Sequence, residues 1–156
     1  MTAGDDTLDD FQKECLASHN HFRSEHGAPP LSWSPELASQ ATNWADKLSS
    51  KQFLTYCELP GIGENITFFP DHLNGRQVVE YWVSERDRYE YETPGWQAGT
   101  NYFTQVVWRN TKLVGVGRVA VDGKEGQTVV VAFYQPAGNC NRPGEFAANV
   151  FKPKDE

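Results

Sequence analysis

The stretch that decides the fold is Ala98–Thr111, AGTNYFTQVVWRNT, an apolar run set behind a polar turn with Tyr102 at the junction. Read by propensity alone, its core Phe103-Thr-Gln-Val-Val-Trp108 suggests a strand, yet it is short enough to be a helical turn. The elements around it narrow the choice. Downstream, LVGVGRVAV (113–121) and QTVVVAFYQ (127–135) are rich in β-branched residues and flank Asp122-Gly123 and Gly126, which predicts an antiparallel hairpin. Upstream, three segments read as helices. Thr7-Leu-Asp-Asp10 looks like an N-cap with an acid three residues on, followed by Leu8, Phe11, Cys15 and Phe22, until Gly27 and Pro29-Pro30 stop the pattern. Ser34-Pro35-Glu36 opens a second helix with the stripe Leu37, Ala41, Trp44, Ala45, Leu48. A third helix is expected from Gly75 to Tyr91, with Val78, Trp82, Glu85 and Tyr89 on its apolar face. Helices followed by a hairpin, without strand-helix alternation, give an α+β class.

The segment 55–74 reads as irregular, broken by Pro60, Gly61, Gly63 and Pro70, but partly buried because it carries Ile62, Ile66, Phe68 and Phe69. The chain divides into an acidic N-terminal tail (1–6), one domain (7–151) and a C-terminal tail (152–156). At 156 residues, with 38% apolar and 13% aromatic residues, it is long enough for one core. A formal charge of −7 argues against a phosphate-neutralising surface, so nucleic acid is not an expected partner. No apolar run reaches the roughly 18 residues of a membrane span, and MTAGDD has neither a basic nor an apolar leader region. Thr2 stands where N-myristoylation needs Gly. Cys15, Cys57 and Cys140 are odd in number and widely spaced, so reduced thiols in an intracellular setting are expected, with Cys15 as core packing. Cytoplasm or the periphery of endomembranes is the predicted location.

Glu85 on an inward face needs a partner, a metal or a raised pKa, since a buried carboxylate without a partner costs several kcal/mol; edge placement with Arg86 or Arg88 is the alternative. Glu64 sits in an apolar loop whose amides need acceptors. His19, His21, His26 and His72 show no metal-binding spacing; His26 fits a surface position at a helix C-terminus, and His19 with Asn20 fits structural hydrogen bonds. Gly115-Val-Gly117 lacks the third glycine of a dinucleotide loop, and the sequon Asn65-Ile-Thr67 is expected to be unmodified.

Four strings carry a resemblance: His19-Asn-His-Phe-Arg23, Gly63-Glu-Asn-Ile66, Tyr102-Phe-Thr-Gln-Val-Val-Trp108 and Phe133-Tyr-Gln-Pro-Ala-Gly-Asn139. In order and spacing the sequence resembles the CAP superfamily of cysteine-rich secretory, antigen 5 and pathogenesis-related proteins, and within it the intracellular Golgi-associated plant pathogenesis-related branch. The resemblance implies a three-layer α-β-α sandwich with a small antiparallel sheet, and a short helix at Phe103–Trp108. It also implies a central cleft at Tyr56, Glu64, Glu85 and Tyr102, where the family places two glutamates and two zinc-binding histidines. Here both histidine positions are tyrosine. A phenol is protonated near neutral pH and ligates zinc poorly, so no metal or other cofactor is expected, and the two hydroxyls are expected to donate to the two glutamates. The serine proposed as a nucleophile in the family falls near Pro70. The reading is therefore a non-enzymatic binding module whose partner is a lipid or sterol, a protein, or a second copy. Phe68, Phe69, Tyr81 and Trp82 are its expected apolar groove, with weak peripheral membrane contact at most. The alternative is a hard-cation site or hydrolase rebuilt on Glu64 and Glu85.

Overall fold

A computed structural model describes residues 8–51 and 53–154. Helix α1 spans Asp10–Glu25, α2 Pro35–Ser49, α3 Gly75–Val83, α4 Asn101–Val107 and α5 Glu145–Asn149. The strands are β1 (Ser32–Trp33), β2 (Gly63–Pro70), β3 (Leu113–Ala120) and β4 (Gln127–Gln135), in sheet order β1-β3-β4-β2. The hairpin lies where the sequence places it, with Val116 opposite Ala132. The sheet is mixed rather than purely antiparallel, because β1 runs parallel to β3, pairing Ser32 with Leu113.

Local chemistry explains the helix ends. Asp9, not Thr7, caps α1: its carboxylate accepts from Gln12 N at 2.8 Å while Gln12 Oε1 accepts from Asp9 N at 3.2 Å. Thr7 lies outside the described residues. Ser34 caps α2 with Pro35 in its first turn, as its sequence requires. The third helix is shorter than expected. It stops at Val83 and tightens into a 3₁₀ turn over Ser84–Arg88. Ser84 contributes to that stop, since its hydroxyl donates to Tyr81 O at 2.6 Å, a local bond that competes with the helical ladder.

The larger correction is β2. The 55–74 segment holds an eight-residue strand antiparallel to β4. Its breakers stand at the margins: Pro60 and Gly61 precede it, and Pro70 closes it at the sheet edge, where a missing N–H is tolerated.

Three layers result. On one face of the sheet α2 packs Leu37, Ala41, Ala45 and Leu48 against Ile66, Val129, Val131 and Phe133. On the other, α1, α3 and α4 enclose Trp82, Phe103 and Val106 with Val114, Val116, Val130, Ala132 and Tyr134. Residues 128–134 of β4 are therefore buried throughout, which is why that strand reads as a continuous apolar run. Gly115 and Gly117 admit α2: a Cβ at either would collide with the main chain of Ala38 or with Thr42. Residues beyond α5 return to α1, where Lys154 N donates to Glu25 O at 2.8 Å. No helix among the described residues is long and apolar enough to cross a membrane.

Candidate functional site

The side chains assigned to the cleft come from four separate segments. Glu64 opens β2, Glu85 lies in the 3₁₀ turn, Tyr102 is in the first turn of α4, and Tyr56 precedes β2. Glu64 turns both carboxylate oxygens on successive backbone amides, Cys57 N at 2.8 Å and Glu58 N at 2.9 Å. Glu58 adopts φ +59°, so the carboxylate holds a turn that its backbone would otherwise disfavour. This is the acceptor that the irregular segment requires.

Glu85 performs a similar task for α4. Thr100 makes no side-chain cap, and Glu85 Oε1 instead accepts from Phe103 N at 3.1 Å. Burial pushes the Glu85 carboxyl above its ordinary range, opposed by the amides of Phe103 and Tyr102 and by Arg88. Arg88 Nη2 stands 3.8 Å from Glu85 Oε2, so the residue is an edge group with a cation beside it rather than one on an apolar helical face.

The expected tyrosine-to-glutamate bonds do not form. Tyr102 OH donates to Ile66 O at 2.8 Å, because that carbonyl lies on the sheet edge and needs a donor, while the glutamates already accept from main-chain amides. Tyr56 is 62% exposed. Burial chiefly raises the Tyr102 pKa, a hydrogen bond with Thr67 opposes the rise, and the phenols of Tyr56 and Tyr81 and the Glu85 carboxylate add to it. Glu64 is directed to the 57–58 amides instead.

The proposed groove is mostly core. Phe69 and Trp82 are buried, and Trp82 Nε1 donates to Thr67 Oγ1 at 2.9 Å. Phe68 and Phe69 are consecutive on a strand and so face opposite sides, Phe68 toward α2 and Phe69 under Trp82. Tyr81 alone of the four is an exposed large ring. What the sequence reading missed is the tip between α2 and β2, where Phe53, Leu54 and Tyr56 are all exposed. Their only signal was an apolar run, Phe53-Leu-Thr-Tyr56, that fits neither helical nor strand periodicity.

The histidines also sort clearly. His19 is buried between Cys15 O and Tyr134 OH, both at 2.7 Å, and burial lowers its pKa to about 4. Asn20 bonds Leu31 through both its amide groups, so the structural reading of this pair holds. His26 is not on the surface: it is buried, with Nδ1 donating to Phe151 O at 2.8 Å, because the returning C-terminal segment covers it. Cys15 is fully buried, as expected of a packing residue.

Residues 16–134 match the sequence profile of the CAP, or cysteine-rich secretory protein, family. The chain belongs to the CAP family. It is similar to human Golgi-associated plant pathogenesis-related protein 1, 37% identical over 147 residues that cover 92% of this chain and 94% of the relative. Pathogenesis-related protein 1 of Arabidopsis thaliana is 34% identical over 130 residues, covering 83% and 79%. In three dimensions the CAP domain resembles venom allergen-like protein 4 of Schistosoma mansoni, with a TM-score of 0.68 at 21% identity over 95% of this chain and 99% of the other.

The zinc that the family resemblance implies does not fit these residues. One phenol gives its proton to a main-chain carbonyl, the other points into solvent, and both acids are engaged by amides. Among the described residues no group of three or more His, Cys, Asp or Glu side chains could hold a metal ion. Glu64 and Glu85 accept from different backbone segments, Cys57–Glu58 and Phe103.

Proposed function

We propose that this CAP domain is a non-enzymatic binding module that engages a lipid surface reversibly through the tip at residues 53–56. The exposed side chains there carry the reading: Phe53 is 59% and Leu54 44% exposed, beside Tyr56. Beneath them Trp44 Nε1 donates to Thr55 O at 3.0 Å, and the ammonium groups of Lys47 and Lys51 lie 6.0 and 5.7 Å from the Trp44 ring. Exposed apolar side chains in the same segment of chain as two cations are complementary to the boundary of an anionic bilayer. A few partly inserted side chains and two lysines, working against a net charge of −7, support weak association that salt disrupts. An intracellular location at endomembranes is in keeping, given the 37% identity to a protein named as Golgi-associated. The absence of a catalytic role is supported by the engagement of Glu64, Glu85, Tyr102 and His19 in structural bonds.

Flotation with vesicles containing phosphatidylserine tests this. At low salt the natural chain should rise in part with the vesicles, and at physiological salt most should stay behind. Phe53→Ser with Leu54→Ser should abolish flotation while leaving the fold intact. Equal flotation by that variant, or none by the natural chain at low salt, refutes the proposal. A concentration-dependent dimer lost in the same variant, without flotation, would give the tip to a second copy instead.

A further inference from the structure

Pro29, the turn between α4 and β3, and α5 line a cleft of about 430 Å³ that holds two cations and one carboxylate. The cations are Arg109 and Lys112, and among the described residues neither has a carboxylate within ion-pair distance. The carboxylate is Glu145, whose Oε1 accepts from Asn149 Nδ2 at a long 3.4 Å. Main-chain bonds fix the backbone that carries the cations. Arg109 N donates to Asn149 O at 3.0 Å and Asn110 N to Asn149 Oδ1 at 2.9 Å. Lys112 N donates to Gln135 O, and the Lys112 carbonyl accepts from Ser32 N, each at 2.9 Å. The Arg109 guanidinium lies 5.0 Å from the Phe151 ring and makes a long bond of 3.5 Å to Gly27 O. Two unpaired charges are thus presented from an ordered backbone inside one cleft.

We propose that this cleft binds the C-terminal residue of a peptide partner. Arg109 and Lys112 take the free carboxylate, Glu145 accepts from the last amide N–H, and Pro29 and Ala148 flank the terminal side chain. A carboxylate matches the planar fork of a guanidinium, and an ammonium beside it adds a second charge-assisted bond. Glu145 decides the class of anion. A phosphate dianion would meet that carboxylate as a like charge, whereas a ligand with one negative charge and a neighbouring N–H donor satisfies all three groups. The net charge of −7 likewise works against polyanions. The volume is that of a site for a ligand of several residues' reach rather than for a single ion, and capture of a chain end is a recurring mode of peptide recognition. The inference does not depend on membrane association, since residues 53–56 take no part in it.

The probes are N-acetyl-alanyl-alanine, its C-terminal amide, free alanine and inorganic phosphate, each titrated into the full chain and followed by amide NMR. The peptide acid should give saturable shifts at about millimolar concentration, centred on residues 109–112 and 145–149, with the peptide amide at least about tenfold weaker. Phosphate and free alanine should both bind more weakly than the peptide acid. Lys112→Gln should weaken the acid about threefold to fivefold, the scale of one exposed charge contact. That variant keeps the fold, because the hydrogen bonds that Lys112 makes are main-chain ones. Glu145→Ala should shift the ratio of peptide to phosphate affinity toward phosphate by at least about fivefold, a change of preference that loss of folding does not mimic. Arg142→Gln, in a different cleft, should leave binding unchanged. Absent saturation with the peptide acid, equal binding of its amide, phosphate binding more tightly than the acid, or unchanged affinity in Lys112→Gln overturns the proposal. An unchanged ratio in Glu145→Ala overturns it as well, and tighter binding of free alanine gives the cleft to an amino acid instead of a chain end.

Discussion

Replacing Arg23 with methionine, a side chain of similar reach but no charge, should lower folding stability by about 3–5 kcal/mol, since it leaves buried main-chain carbonyls without a donor. The guanidinium is fully buried in α1. It donates to four main-chain carbonyls: Nε to Pro29 O at 2.7 Å, Nη1 to Val106 O at 3.0 Å and Trp108 O at 2.8 Å, and Nη2 to Thr111 O at 3.0 Å. These bonds tie α1 to the turn after it, to the C-terminal end of α4 and to the approach to β3. Hydrogen bonds from a charged donor contribute about 1.5–3 kcal/mol each. Against that stands the desolvation of the cation, several kcal/mol, which also lowers its pKa to about 10. The difference, together with carbonyls left buried without a donor, gives the figure above. For a chain of this length it corresponds to a fall in melting temperature of about 6–20 °C. Arg23→Lys should recover only part of the loss, because one ammonium with three protons cannot span four acceptors. Urea unfolding followed by tryptophan fluorescence, with thermal melts alongside, is the assay. If Arg23→Met unfolds within about 1 kcal/mol of the natural chain, desolvation cancels the four bonds and Arg23 does not staple these elements.

His19 makes stability pH-dependent. Its folded pKa is lowered to about 4 from 6.5, so between those values the unfolded chain binds the extra proton; stability should fall as pH drops from about 6.5 to 4, by up to about 3 kcal/mol, and His19→Gln should flatten that slope in urea titrations at stepped pH. Gly117→Ala should cost about 1–3 kcal/mol or more by chemical denaturation, because its methyl group meets Thr42 of α2; a neutral result would mean that α2 can lift off the sheet freely. Glu64→Ala frees the amides of Cys57 and Glu58, and hydrogen exchange should accelerate there; unchanged protection would show that the turn holds without the carboxylate.

Much of this architecture is written in local chemistry. Ser34-Pro35 starts α2, the Asp122-Gly123 turn closes the hairpin, and the run 128–134 declares a strand covered on both sides. The helix at Asn101–Val107 and the third layer required the family resemblance, because Gln-Val-Val has strand propensity and only its packing between α1, α3 and the sheet makes it helical. Among the candidate site residues, the partners of Glu64 and Glu85 were not legible. Both are backbone amides far enough along the chain that no periodicity relates them, and the strand that would have oriented Glu64 was hidden by prolines at its margins. Phe69 and Trp82 were misjudged for a related reason: aromatic residues near a loop look available until the strand and helix that pair them are known.

The position of β2 gives Tyr102 one more consequence. Sheets with an open side invite a second chain to add a strand, a route to domain exchange and fibrils. Of the two borders here, β1 offers only two residues, whereas β2 offers eight. Along that longer border Pro70 ends the register and the Tyr102 phenol already occupies the Ile66 carbonyl. An incoming strand would have to evict a tyrosine held against Trp82 before it could make its central bond, so Tyr102 keeps this edge of the sheet closed to strangers.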